Sequence, residues 1–216
     1  MIKIYYYIKL FWAMFEMSRN PENTNQVFVM ADSLYALGLS NQMCTKIMQD
    51  EKSRQLVKSR YRLKPIHLLE LQKLPVGTLG RTYADHMISN GLSPDFFPTR
   101  QLVNDVNYMI MRNRETHDLW HVISGFDTSR VGEIGLQGFM MAQIQAPLTS
   151  LLVGGSLIRA GLMAPTQLLP LWKVISGGYQ MGLEAKPIYA LDWEAHWATP
   201  LNDLRNIYGV KAWKMD

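Results

Sequence analysis

Cysteine is nearly missing from this chain: Cys44 stands alone among 216 residues. An internal disulfide and a cysteine-rich zinc site are therefore excluded, and a reducing compartment is the natural setting. Long apolar runs are missing too. No stretch reaches the roughly eighteen residues of a membrane span, and the nearest approach, Met1 to Met17, is interrupted by Lys3, Lys9 and Glu16. That segment has neither the small-residue cleavage site of a secretory signal nor the Arg- and Ser-rich character of a transit peptide. Charge of one sign is also scarce. The 22 basic residues barely outnumber the 18 acidic ones and form no run or stripe, so no nucleic-acid partner is expected. An anionic membrane surface stays open. Regular strand alternation, internal repeats, a phosphate-binding glycine loop and a nucleophile triad are all missing. With 48% apolar and only 19% charged residues, the chain is not a disordered one.

What is present reads as helices punctuated by proline and glycine. The fold expected is all-α, a single-domain bundle over 1–216, its first forty residues supplying N-terminal helices that could contact a membrane. Met1 to Met17 is either a first helix packed on the core or an interfacial anchor with Tyr5, Tyr6, Phe11 and Trp12 at headgroup level. Asn23 to Leu37 is periodic and ends at Gly38. Ser40 can cap a helix running toward Leu56. Pro65 opens a segment through Leu71, and Pro75, Gly77 and Gly80 mark a turn. A short helix from Thr82 to Asn90 stops at Gly91, and residues 93–98 form a loop. The longest periodic segment runs from Thr99 to about Ser124. Helices follow over Ser129 to Gln145, Leu148 to Leu162, Pro170 to Leu183 and Leu201 to Tyr208.

Of five histidines, two lie one helical turn apart in His117-Asp118-Leu119-Trp120-His121. On a helix this spacing puts both imidazoles on one face with Asp118 beside them. Gly125 and the Asp127-Thr128-Ser129 cap then break the helix, and a hairpin could swing Glu133 of the next helix back over the pair. His117, Asp118, His121 and Glu133 form the candidate metal set. Two nitrogens and two carboxylates suit zinc best and also accept iron(II) or manganese; magnesium fits less well because histidine is a poor ligand for it. His67, His86 and His196 are isolated and read as structural. No catalytic residue can be named.

Fourteen methionines are the other surplus. Gly132, Gly135 and Gly138 recur every third residue on the helix that carries Glu133. Such a stripe means a close approach, either by a neighbouring helix or by an elongated ligand. In the second case Met109, Gly132, Leu136, Phe139 and Met140 would wall an apolar groove beside the metal hairpin. Arg112 and Arg114 precede the motif and could take an anionic head group.

The run from Arg114 to His121, followed by Gly132-Glu133, resembles the signature of the fourth coenzyme Q (ubiquinone) biosynthesis protein family, H-D-x-x-H-x(11)-E. Leu74 to Ala84 and the stretch from Leu204-Arg205 to Gly209-Val210 are similar to further segments of that family. The resemblance implies an all-helical protein with a divalent metal, commonly zinc, at the four residues already named. It implies an apolar groove for a polyisoprenoid-tailed quinone precursor, peripheral membrane association and an organising role among the other coenzyme Q enzymes. A part in decarboxylation and hydroxylation at ring C1 also belongs to the family. Without an evident transit sequence the chain is expected to be bacterial or processed: cytoplasmic and membrane-peripheral in a bacterium, at the mitochondrial inner membrane in a eukaryote. The competing readings are a non-enzymatic lipid-binding scaffold and a metal-dependent hydrolase of prenyl phosphates. A homodimer is compatible with each of them.

Overall fold

The computed structural model describes residues 2–20, 23–96 and 102–214. Among these it forms eleven α-helices, 3-10 turns at Pro165–Gln167 and Glu194–His196, and no strand. In chain order the helices are α1 (Ile2–Arg19), α2 (Asn25–Ala36), α3 (Asn41–Ile47), α4 (Glu51–Ser59), α5 (Leu68–Leu71), α6 (Leu79–Ser89), α7 (Asp105–Ser124), α8 (Arg130–Ile144), α9 (Pro147–Met163), α10 (Leu168–Glu184) and α11 (Leu201–Tyr208). No helix among the described residues is long and apolar enough to cross a membrane.

Side-chain caps set several of the starts. Asp50, Thr78, Asn104 and Ser129 each accept a hydrogen bond from the backbone N–H three residues on, which satisfies a donor the helix cannot. These caps explain where the sequence expectations shift. The helix expected from Ser40 toward Leu56 is two helices, because Asp50 turns extended (φ −86°, ψ 129°) and starts α4 afresh; Ser40 itself makes no side-chain cap. The long segment expected from Thr99 begins at Asp105, behind Asn104, and Thr99 lies outside the described residues. The segment opened by Pro65 is helical only over Leu68–Leu71. Gly80, expected in a turn, sits in α6, where a Cβ would come within 3.0 Å of the Trp197 carbonyl oxygen. Residues 93–96 are non-helical as expected, and Phe97 and Pro98 lie outside the described residues.

Two hydrophobic clusters organise the packing. The larger is built on α3–α4, α6–α8, α10 and the C-terminal segment, with Trp120, Trp193, Tyr83 and Phe139 wholly buried. Its centre is the crossing of α8 and α10, and the glycine stripe belongs to it. A Cβ on Gly138 would lie 2.5 Å from the Ile175 carbonyl oxygen, and one on Gly178 would lie 2.2 Å from that of Gly135. At Gly135 and Gly138 the close approach is therefore that of a helix backbone.

The smaller cluster joins α1 and α2 through Leu10, Ala13, Met30, Leu34 and Leu37, and meets α9 at Leu148, Leu151 and Leu152. In α1 only Leu10 and Ala13 are buried. The other side chains include Ile2, Tyr5, Ile8, Phe11 at 71% exposure and Trp12 at 58%.

Candidate metal centre and cavity

The metal motif becomes a site because α7 and α8 form a tight hairpin. His117 and His121 sit one turn apart near the end of α7, which closes at Gly125 with φ +81°, a left-handed conformation that favours glycine. The chain re-enters a helix at Ser129, whose hydroxyl accepts from Gly132 N–H. Glu133 thus falls in the first turn of α8, its N–H donating to the Ser129 carbonyl at 2.8 Å.

This places Glu133 Oε1 3.1 Å from His121 Nε2 and Oε2 3.5 Å from His117 Nε2, while the two Nε2 atoms are 3.2 Å apart. The three ligand atoms lie within 4.8 Å of one another. The His121 side chain is wholly buried, His117 is 27% exposed and Glu133 is 38% exposed. His121 Nδ1 lies 3.0 Å from the Phe126 carbonyl oxygen. A carbonyl can only accept, so Nδ1 donates to it, and Nε2 is the ring atom directed at Glu133 and His117. The donor set of two imidazoles and a carboxylate fits a divalent ion.

The three groups are also coupled to one another electrostatically. Burial works to depress His117, but its hydrogen bond to Glu133 and the charges of Glu133 and Asp118 outweigh it and raise the imidazole above its usual range. Burial works to raise Glu133, but the bonds from His117 and His121 hold its carboxyl well below the usual range. Asp118, fourth in the sequence set, is not part of the three-residue cluster. It faces the adjoining cavity instead. His86 was read as isolated, yet its ring lies nearly parallel to that of His121, 5.8 Å away. Its Nε2 is buried without a hydrogen-bond partner among the described residues, and burial lowers its pKa. No spacing rule could have found this contact, because α6 meets α7 only through tertiary packing.

Next to the cluster opens a cavity of about 950 Å³. His117, Asp118 and Glu133 line one part of it. Val27, Phe28 and Ala31 of α2, Val131, Ile134 and Met140 of α8, and Leu148 and Leu152 of α9 supply apolar walls. Of the groove residues read from sequence, Arg114 and Met140 line this cavity. Met109, Leu136 and Phe139 do not: each is wholly buried in the core, Phe139 edge-on to Trp120. Gly132 is also displaced from the groove, since Asp127 folds against it and a Cβ would lie 2.1 Å from Asp127 Oδ1. Arg112 is buried in the core, its Nη2 donating to the Leu191 carbonyl. Arg114 meets Asp32 of α2 at 3.6 Å and lies over the Phe28 ring. The walls given by α2 had no signal in the sequence beyond helical periodicity.

The family described as coenzyme Q (ubiquinone) biosynthesis protein Coq4 matches residues 8–214. The chain is 26% identical over 197 residues to the mitochondrial ubiquinone biosynthesis protein COQ4 of Debaryomyces hansenii, covering 89% of this chain and 60% of that protein. It is 31% identical over 173 residues to the COQ4 homologue of Rattus norvegicus, covering 76% and 63%. The chain thus spans about three fifths of the length of these relatives. A crystal structure from Nostoc punctiforme PCC 73102, of a protein provisionally assigned to ubiquinone biosynthesis, superposes with a TM-score of 0.85 at 31% identity, covering 94% of this chain and 98% of that one. With the match running almost end to end and the fold shared, the chain belongs to the Coq4 family of coenzyme Q biosynthesis proteins.

Proposed function

We propose that the protein is a metal-containing, isoprenoid-binding member of the coenzyme Q pathway. The observation that carries this reading is the placement of a three-ligand cluster on the wall of a large, mainly apolar cavity. His117, His121 and Glu133 would hold a divalent ion, zinc by donor preference, and Asp118 beside them would supply the second carboxylate. A bound ion would supply Lewis-acid polarisation of a ring carboxylate or hydroxyl. The protein's own residues do the rest. Val27, Ile134, Met140 and Leu152 hold an isoprenoid tail, and each buried 100 Å² of tail is worth about 2.5 kcal/mol by transfer arithmetic. Asn113 and Arg114, which also line the cavity, orient the polar ring. The exposed apolar and aromatic face of α1 lies on a membrane surface, and other quinone-biosynthesis enzymes are the partners.

The test is extraction of the purified chain with organic solvent, beside elemental analysis. The expected result is a prenylated aromatic acid or quinone precursor together with close to one metal per chain. A chain that carries no isoprenoid, and shows no thermal shift when one is added, sinks the lipid reading. Conversion of a supplied prenylated 4-hydroxybenzoate separates an enzyme of ring C1 chemistry from a non-enzymatic scaffold. Release of phosphate from prenyl phosphates would favour a hydrolase.

A further inference from the structure

The last turn of an α-helix leaves four carbonyls with no partner inside the helix. In α7 they belong to His121, Val122, Ile123 and Ser124, the turn that carries the buried histidine. Gly125 N–H donates to His121 at 2.9 Å. The other three are met by the C-terminal part of the chain. Arg205 of α11 donates from Nη2 to Val122 and from Nε to Ile123, both at 2.9 Å. Trp213 N–H donates to Ser124 at 2.7 Å.

The Trp213 ring occupies a built seat. It stacks on Phe126 with ring centres 5.4 Å apart and planes at 26°. Two glycines make room: a Cβ on Gly177 of α10 would come 2.1 Å from the indole, and one on Gly125 would come 3.0 Å from the Trp213 carbonyl oxygen. Phe126 is the residue whose carbonyl fixes the His121 ring. Its own ring lies against Gly135, where a Cβ would approach to 2.5 Å, two residues along α8 from Glu133. One aromatic stack therefore touches both the support of His121 and the helix that delivers Glu133.

We propose that Arg205 and Trp213 are positioning residues of the metal centre. They fix the α7 terminus and the Phe126 carbonyl, and through these the His121 and Glu133 ligand atoms. Neither reaches the ligand cluster, so neither is a catalytic residue. The inference rests on the metal reading above, and it adds the C-terminal segment as the part of the chain that sets the affinity of the site.

The test uses the full chain and cobalt(II) as probe, whose visible bands report coordination geometry, with affinity taken from chelator competition. Trp213→Ala and Arg205→Ala are expected to weaken binding about tenfold, the scale of outer-shell supports, and to change the visible spectrum. Trp213→Phe keeps a stacking ring and is expected to restore both. Leu34→Ala, which loosens the separate α1–α2 cluster, is expected to lower thermal stability with affinity and spectrum unchanged. Wild-type affinity and spectrum in Trp213→Ala and Arg205→Ala overturn the proposal. So does an affinity loss in Leu34→Ala that tracks stability as theirs does. A wild-type chain that binds no cobalt, or a Glu133→Gln chain that binds it as tightly as wild type, overturns the metal reading itself and this inference with it.

Discussion

The α7–α8 hairpin and the α1–α2 hairpin are drawn from the same stock of methionines, aromatics and aliphatics, and the protein uses them in opposite ways. In the first, burial is complete on several sides. Trp120, His121, Phe126, Leu136 and Phe139 are at most 2% exposed, and α10 approaches α8 closely enough for backbone to touch backbone. In the second, burial is one-sided: the small cluster packs on three leucines of α9, and Arg114 of α7 reaches Asp32 and Phe28 of α2. Close packing holds a buried side chain such as His121 in a single rotamer, which anchors three ligand atoms within 4.8 Å of one another. One-sided packing leaves an apolar surface and a cover over the cavity that fewer contacts hold down. The two hairpins therefore divide the labour between a rigid ligand cluster and a less firmly seated wall.

Removing a ligand is the sharpest way to break that comparison. Glu133→Gln is expected to lower metal affinity by more than about a hundredfold, beyond the range of outer-shell changes, while the α1–α2 hairpin is untouched; equilibrium dialysis against metal buffers measures it. Acid should act in the same direction. The metal-free cluster holds a proton on His117 more tightly than an ordinary histidine does, so protons compete with the ion from above the usual histidine range downward. Bound metal is expected to fall as pH drops through the raised His117 value and to return on neutralisation.

Next in size is damage to the helix crossing. Gly178→Ala puts a methyl 2.2 Å from the Gly135 carbonyl oxygen, so α8 and α10 must separate. A loss of about 3 kcal/mol is expected, at the upper end for overpacking, seen as a lower midpoint in urea. An unchanged midpoint would show that the two helices are not held in contact. Leu34→Ala, in the other hairpin, is expected to cost about 2–3 kcal/mol. Hydrogen exchange should place that loss in α1 and α2, whose amides are expected to exchange ahead of those in α7, α8 and α10. Uniform exchange across both hairpins would erase the distinction between them.

How much of this was legible in the sequence depended on which contacts are local. The His117–His121 spacing, the Gly125 stop and the Ser129 cap all act within a few residues, so the hairpin and three of the four candidate ligands could be placed from the chain alone. The glycine stripe announced a close approach but not its partner, because the partner is α10, forty residues on. For that reason Leu136 and Phe139, read as groove walls, lie in the core, while Phe28 and Val27, unremarkable in sequence, line the cavity. His86 meets the His121 ring, and Trp213 meets Phe126 behind it, only through tertiary packing, which periodicity cannot report. The family resemblance named the fold and the metal motif, but it gave no information on which methionines face the cavity.

The smallest effect on stability is expected on the exposed face of α1. Phe11 and Trp12 are 71% and 58% exposed, so Phe11→Ser with Trp12→Ser should leave the free energy of unfolding within about 0.5 kcal/mol of wild type. If this face serves a membrane surface, the same pair should reduce flotation with vesicles containing anionic lipid, because two aromatic side chains leave the interface while Lys3 and Lys9 remain. Neutralising those lysines instead should weaken flotation in a salt-dependent way. Flotation unchanged in both variants would mean that α1 is apolar for another partner. A fall in stability as large as that of Leu34→Ala would mean that the face is packed, and the contrast between the two hairpins would be one of degree.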